Sequence, residues 1–165
     1  MAYHVHRLAR LGPPMLISGN WYKLSSAVLE GKVMGFSRTD LKLTNLFTKT
    51  SIDVSALVDT SALHMCVSEE QARQLGFDPE EFSTQLVTLA DGRQIEVPKI
   101  RPVEIAFANR TYATEALVLG TEALMGVLPL EAMDLVVDPQ AQRVVVNPAH
   151  PNQPVGIAKG MRNRF

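Results

Sequence analysis

The stretch "SALVDTSALHMC", residues 55–66, decides how the rest of the chain is interpreted. Its aspartate, Asp59, ends the apolar run Ala56-Leu57-Val58 and is followed by small and apolar residues. An ionised carboxylate is costly to bury, so an acid in this setting needs hydrogen bonds, a charge partner or a chemical role. The stretch therefore raises two questions: what Asp59 does, and why Ser61 stands two residues after it.

The composition of the chain indicates one soluble domain. The 165 residues are 46% hydrophobic and 20% charged, and the formal net charge of -1 gives no reason to expect nucleic acid or an anionic membrane as a partner. The single cysteine, Cys66, excludes an internal disulfide and a cysteine-based metal cluster. The apolar runs are too short to span a bilayer, and no apolar block of secretory type precedes Gly12, so a cytoplasmic location is expected.

Three parts of the chain are expected from changes in residue pattern. Residues 1–33 lack a clear strand pattern and are interpreted as a mobile extension or as the result of an upstream start codon. The alternatives for this part are a partner-binding arm and a targeting peptide. Residues 34–148 are expected to form the folded domain. Residues 149–165, which contain Pro, Asn and Gly and end in basic residues, are predicted to be a loosely held tail.

From Leu41 onward, short runs of alternating apolar and polar residues predict seven or eight strands with one or two short helices. Ser68 and Gln71 have the spacing of a capping box, which predicts the start of a helix. Asp91-Gly92 lies between two strand-like runs and predicts a hairpin with a tight two-residue turn. A second turn is predicted at Asn109-Arg110. The fold class that follows is an all-β barrel or folded sheet.

Three features, in this order, resemble the marks of the retroviral-type (retropepsin-like) aspartic proteases, and especially of their bacterial branch. The run Leu57 to Ala62 is similar to the family's signature of two apolar residues, Asp, Thr or Ser, Gly and Ala. The hairpin Leu86 to Val97 stands where the family places its flap. Leu124-Met125-Gly126 is similar to the family's second mark, two apolar residues and a glycine before a short helix. The resemblance covers roughly residues 41–148 and implies a small closed barrel.

The resemblance implies a homodimeric aspartic endopeptidase that uses no metal or other cofactor. In this chemistry two carboxylates share one proton, so that one activates water as a general base and the other polarises the scissile carbonyl as a general acid. The chain contains one Asp-Thr triplet of this kind. The second carboxylate is therefore expected from Asp59 of a second copy of the chain, related by a twofold axis.

The resemblance also implies roles for the neighbours of Asp59. Thr60 would brace the two loops across the dimer, and the N–H group of Ser61 would point at the Asp59 carboxylate. The hairpin tip would close over an extended peptide or protein substrate that binds as an added strand. The expected substrate-binding residues are Ala62, Ala90, Asp91, Gly92, Arg93, Leu124, Met125 and Gly126.

Two departures from the family pattern motivate a second hypothesis. Ser61 stands where the family usually has glycine, and the hairpin contains one glycine, Gly92, where retroviral flaps have several. Glycine permits close backbone approach and unusual dihedral angles, so Ser61 would strain the site if a positive φ were required. The alternative function is a non-catalytic or weakly active dimeric module of the same fold that binds extended peptides.

Simpler interpretations remain open for each singled-out residue. Asp59 alone is compatible with a structural acid in a turn, and an unrelated monomeric β-barrel is a third alternative. His64 and Cys66 are close in sequence, but two ligands are too few for a zinc site, and Cys66 is expected to be a small buried residue. Asp134 and Asp138 are predicted to be surface or turn acids.

Overall fold

The computed structural model of the protein describes residues 37–89 and 91–156. The predictions for residues 1–33, for Ala90 and for the end of the tail from residue 157 lie outside these residues. Within them, none of the helices is long and apolar enough to cross a membrane, and the cytoplasmic location stays a prediction. The elements are β1 (Arg38–Asn45), β2 (Ser51–Val58), β3 (Met65–Val67), α1 (Glu69–Gln74), a 3-10 turn (Pro79–Glu81), β4 (Ser83–Thr88), β5 (Gln94–Phe107), β6 (Arg110–Val118), β7 (Leu124–Met125), α2 (Val127–Ala132), β8 (Leu135–Asp138) and β9 (Arg143–Val146).

Seven of these strands form one sheet in the order β1-β2-β7-β3-β6-β5-β4, and β1 also pairs with β5. The additional pairing closes six strands into a barrel, while β4 is attached outside the ring through the first part of β5. The prediction of a small all-β barrel with short helices is therefore confirmed. Strands β8 and β9 form a separate antiparallel pair.

The core of the barrel is filled by alternate residues of its strands, as the period of a β-strand requires. Leu41 and Leu43 of β1 and Val54, Ala56 and Val58 of β2 are all buried. Burying one branched apolar side chain contributes about 1.5–3 kcal/mol, so these positions supply much of the free energy that holds the two strands in register.

The hairpin between β4 and β5 is present, but its turn contains three residues, and the prediction of a two-residue turn is wrong. The N–H group of Leu89 donates to the Arg93 carbonyl at 2.8 Å, and the N–H group of Gly92 donates to the Leu89 carbonyl at 2.9 Å. Gly92 has φ +85°, the left-handed conformation that completes three-residue hairpins. The Asp91 carboxylate also accepts the Arg93 N–H group at 3.0 Å, which stabilises the wider turn.

The turn between β5 and β6 passes through Ala108 and Asn109, one residue earlier than predicted. Ala108 has φ +49°, and Arg110 is the first residue of β6, with 1% of its surface exposed. A guanidinium nitrogen of Arg110 donates to the His150 carbonyl, and Asn109 Nδ2 donates to the Pro151 carbonyl at 3.0 Å. The segment that follows β9 is therefore held against this hairpin.

The described part of the C-terminal tail, which is predicted to be loosely held, contacts the domain through Asp134. Its carboxylate accepts hydrogen bonds from Asn147 Nδ2 at 2.8 Å and from the Val155 N–H group at 3.1 Å, and it contacts His150 Nδ1 at 2.6 Å. The bond from Asn147, with smaller contributions from Val155 and His150, holds the pKa of Asp134 below its ordinary value. Asp134 follows α2 with φ +51° and joins the tail to the domain, so it is more than the surface or turn acid that was expected.

Other local signals in the sequence predict the structure correctly. Ser68 accepts the N–H group of Gln71 at 3.2 Å, while the Gln71 side chain accepts the N–H group of Ser68 at 3.0 Å, which completes the capping box of α1. Asp138 accepts the N–H groups of Gln140 and Ala141 at 3.1 and 3.0 Å. Asp138 is therefore a turn acid, as predicted.

Candidate active site

Asp59 directly follows the last residue of β2, and main-chain hydrogen bonds fix its loop. The N–H group of Asp59 donates to the Met125 carbonyl at 3.1 Å, and the Asp59 carbonyl accepts the Ala62 N–H group at 3.2 Å. Strand β2 runs parallel to β7 and pairs Val58 with Met125. The loop thus leaves the barrel at the end of a buried strand with the Asp59 side chain half-buried.

Gly126 lies directly against this loop, because β7 is placed between β2 and β3. Its N–H group donates to the His64 carbonyl at 3.1 Å. A Cβ atom on Gly126 would lie 2.5 Å from the His64 carbonyl oxygen, 2.6 Å from the Leu63 carbonyl carbon and 2.7 Å from the Ala62 carbonyl oxygen. Only glycine fits at this close approach of two backbone segments.

The start of α2 adds two further bonds to the same loop. The Val127 N–H group donates to the Ala62 carbonyl at 2.8 Å, and the Leu128 N–H group donates to the Leu63 carbonyl at 3.0 Å. The first N–H groups of a helix have no partner within the helix, so the loop carbonyls satisfy them. The loop and α2 therefore hold each other in place.

Ser61 makes two hydrogen bonds to one oxygen of Asp59. Its N–H group donates to Oδ1 at 2.8 Å, which is the bond that the resemblance implies, and its hydroxyl group donates to the same oxygen at 2.6 Å. The non-glycine residues with positive φ in the described chain are Lys49, Ala108, Asp134 and Gln142. Ser61 is not among them, so it occupies backbone space open to any L-residue and does not need to be glycine.

The outer surface of the loop is exposed and partly apolar. Thr60 and Ser61 are exposed, and Ala62 is half-buried. Leu63 exposes 59% of its surface and Leu128, whose main chain is bonded to it, exposes 40%. Adjacent exposed apolar side chains often mark a contact surface.

A small apolar cluster joins the lower part of the β4–β5 hairpin to the strands beside the Asp59 loop. Its buried members are Cys66, Val97 and Leu117, and the half-buried residues packed against them are Val87, Ile95 and Leu124. Burial raises the pKa of the Cys66 thiol, and the charge of Asp59 raises that pKa further. A buried, protonated thiol is a poor nucleophile, which agrees with the prediction that Cys66 is a small core residue.

The tip of the hairpin is exposed at Asp91, Gly92 and Arg93. The Arg93 Nε atom donates to the Asp91 carboxylate at 2.7 Å. Hydrogen bonds from the Arg93 main chain and side chain hold the pKa of Asp91 below its ordinary value. Within the described residues these tip groups therefore bond to one another, while the Asp59 loop bonds to Met125 and Gly126.

Two features of the site were missed at the level of sequence. The Ser61 hydroxyl bond had a local signal, since a hydroxyl two residues after an aspartate can bond back to it in a turn. The carbonyls of Ala62 and His64, which receive bonds from α2 and Gly126, had no local signal, because their partners come much later in the chain.

A scan of protein-family models and a search of curated proteins each found no match to this chain. The fold defines the protein as a small all-β barrel, and the half-buried acid on a locked loop defines its candidate site. Within residues 37–89 and 91–156, no group of three or more His, Cys, Asp or Glu residues is placed to hold a metal ion.

Proposed function

We propose that the protein is a homodimeric aspartic endopeptidase in which Asp59 of each subunit supplies one of two catalytic carboxylates. The observation that carries the proposal is the Asp59 loop. A carboxylate oxygen receives two donors from Ser61, and the loop is locked to Met125 and Gly126. The two sequence marks that resemble retropepsin-like proteases are distant in the chain but meet in space, which supports assigning them to one site.

The proposed reaction needs two carboxylates that share one proton. The ionised carboxylate accepts a proton from water, whose oxygen attacks the carbonyl carbon of the peptide bond. The protonated carboxyl group donates to the carbonyl oxygen, which gives a tetrahedral intermediate. The intermediate collapses when its carbon–nitrogen bond breaks: the amine nitrogen receives the proton that the first carboxylate took from water, and one hydroxyl group of the intermediate returns a proton to the second carboxylate, so the pair again holds one proton. The products are a carboxylic acid and an amine.

We assign the second carboxylate to a second copy of the chain. The described residues hold one loop of this kind, so a single chain would supply half of the dyad. Thr60 is exposed on this loop, and Leu63 and Leu128 expose apolar surface beside it. A twofold axis near Asp59 would pair the two loops and cover these side chains in a self-complementary interface.

The β4–β5 hairpin is the proposed flap over the substrate. Val87, Ile95 and Val97 anchor its lower part in the small apolar cluster, while Gly92 and its neighbours at the tip are exposed. A hairpin anchored at its base and exposed at its tip can close over a bound peptide and exclude water. The peptide would lie extended and hydrogen-bond as an added strand.

A peptide-binding module of the same fold, non-catalytic or weakly active, is the second candidate. Its support is the hairpin, which has one glycine at its tip and is stabilised by the Asp91–Arg93 ion pair at 2.7 Å. The geometry of Ser61 favours the peptidase, because serine is accommodated without backbone strain and adds a donor to the carboxylate.

Cleavage of an unfolded protein, such as casein at mildly acidic pH, tests the proposal. We expect the wild-type chain to release peptides and Asp59→Asn to release none, because the amide cannot accept a proton from water. Asp53→Asn, on the exposed face of β2, is the matched control and is expected to keep wild-type activity. Undiminished cleavage by Asp59→Asn would refute the proposal. Tight binding of peptides without cleavage by the wild type or by Ser61→Gly would favour the binding module.

A further inference from the structure

We infer that the Ser61 hydroxyl is a positioning group, which sets the orientation of the Asp59 carboxylate for attack on the substrate. The inference rests on the proposed function, since it assigns a role within that reaction. The hydroxyl oxygen lies 2.6 Å from Asp59 Oδ1, and the Ser61 N–H group lies 2.8 Å from the same oxygen.

The two donors restrict the carboxylate more than one donor would. The last torsion of an aspartate side chain is broad, so a carboxylate held by one main-chain N–H group can still rotate over a wide range. A second donor from a different direction narrows that range and fixes which oxygen is held. Both Ser61 bonds end on Oδ1, so Oδ2 is left to face the water, the shared proton and the second carboxylate.

The hydroxyl is held at this point without cost to the backbone. Ser61 does not have a positive φ, its side chain is exposed, and the turn around it is closed by the bond from the Ala62 N–H group to the Asp59 carbonyl. Alanine at position 61 would remove the hydroxyl and keep the N–H bond. Threonine would keep both donors, and glycine would remove the hydroxyl and loosen the backbone.

Orientation of a catalytic group acts on the transition state rather than on substrate binding. We expect Ser61→Ala to lower kcat about tenfold, the rate equivalent of one modest hydrogen bond, with KM unchanged. Ser61→Thr is expected to retain wild-type kcat, and Ser61→Gly is expected to lose at least as much as Ser61→Ala. Ser55→Ala, which removes an exposed hydroxyl from β2, is the control and is expected to change neither constant.

Wild-type kcat in Ser61→Ala, or an equal loss in Ser61→Ala and Ser61→Thr, would overturn the inference. A second readout needs no turnover. Crystal structures of the wild type and of Ser61→Ala should show one carboxylate orientation in the former and a rotated or divided one in the latter, and identical orientations would also overturn it. If the wild type cuts no peptide, but the carboxylate orientation still differs between the wild type and Ser61→Ala, the proposed function would be refuted. The role of the Ser61 hydroxyl in orienting Asp59 would then still stand.

Discussion

Replacing Gly126 by alanine should destabilise the protein, because among the glycines that the structure describes it alone would place a Cβ atom within 3.0 Å of other atoms. The added Cβ would lie 2.5, 2.6 and 2.7 Å from three backbone atoms of the Asp59 loop, all below the 3.0 Å that real Cβ contacts respect. Backbone atoms cannot rotate away as a flexible side chain can. The loop and β7 must therefore separate by at least 0.5 Å, the difference between 3.0 and 2.5 Å.

The expected cost combines two effects. Overpacking of a well-packed site typically costs about 1–3 kcal/mol. The separation also stretches three main-chain bonds between the loop and the segment 126–128, now 3.1, 2.8 and 3.0 Å long, and each contributes about 1 kcal/mol. With partial relaxation, we expect a loss of about 2–5 kcal/mol in the free energy of unfolding. At about 4 °C for each kcal/mol, Tm should fall by about 8–20 °C.

Thermal and urea unfolding followed by circular dichroism would measure this loss. Gly156→Ala is the matched control, because nothing lies within 4 Å of its Cβ position and its φ is not left-handed. Gly156→Ala should leave Tm unchanged. A wild-type Tm in Gly126→Ala would contradict the close approach of β7 to the Asp59 loop. An equal fall of Tm in Gly126→Ala and Gly156→Ala would contradict it as well.

Two further predictions concern stability away from the site. Asn45 is 2% exposed, donates to the Leu75 carbonyl at 3.1 Å and accepts the Phe47 N–H group at 2.9 Å. Asn45→Ala should therefore lower the free energy of unfolding, measured in urea, by about 1–3 kcal/mol. A loss below about 0.5 kcal/mol would count against this hydrogen-bond network. The pKa of Asp134 is lowered in the folded protein, so its contribution to stability is present above the unfolded pKa, about 4, and is lost as pH falls through the lower folded pKa. After correction for the intrinsic rate, hydrogen exchange of the Val155 amide should therefore be faster at pH 3 than at pH 6. At pH 6 it should also be faster in Asp134→Asn than in the wild type. Equal protection of this amide in all three cases would contradict the anchoring role of Asp134.

Local sequence patterns predicted much of the fold because their causes are local. The alternation in β1 and β2 follows from the period of a strand, and the capping box at Ser68 joins residues three positions apart. The same holds for the turn acid Asp138, whose partners follow it directly. In each case the two interacting residues lie within a few positions of each other in the sequence.

The features that the sequence did not predict depend on distant partners or on small differences in turn geometry. The pairing of β1 with β5 closes the barrel, and the placement of β7 between β2 and β3 puts Gly126 against the loop, but neither pairing has a local signal. The anchoring of the tail by Asp134 likewise depends on residues on both sides of the β8–β9 pair. The hairpin at Gly92 was predicted, whereas its length was not, since Asp-Gly fits both two-residue and three-residue turns.

The most direct test of the central claim, two Asp59 carboxylates supplied by two subunits, is a subunit-mixing experiment. Wild-type chain at a fixed concentration is unfolded and refolded with an equal amount of Asp59→Asn, and the rate of peptide cleavage is measured. Two further samples are compared with it: wild type refolded with an equal amount of Asp53→Asn, which is the active control, and wild type refolded alone. If both carboxylates of a dimer are required, half of the wild-type chains pair with an inactive partner, so cleavage should fall to about half of the wild type refolded alone. Cleavage that is unchanged by added Asp59→Asn would show that one chain acts by itself and would contradict the claim.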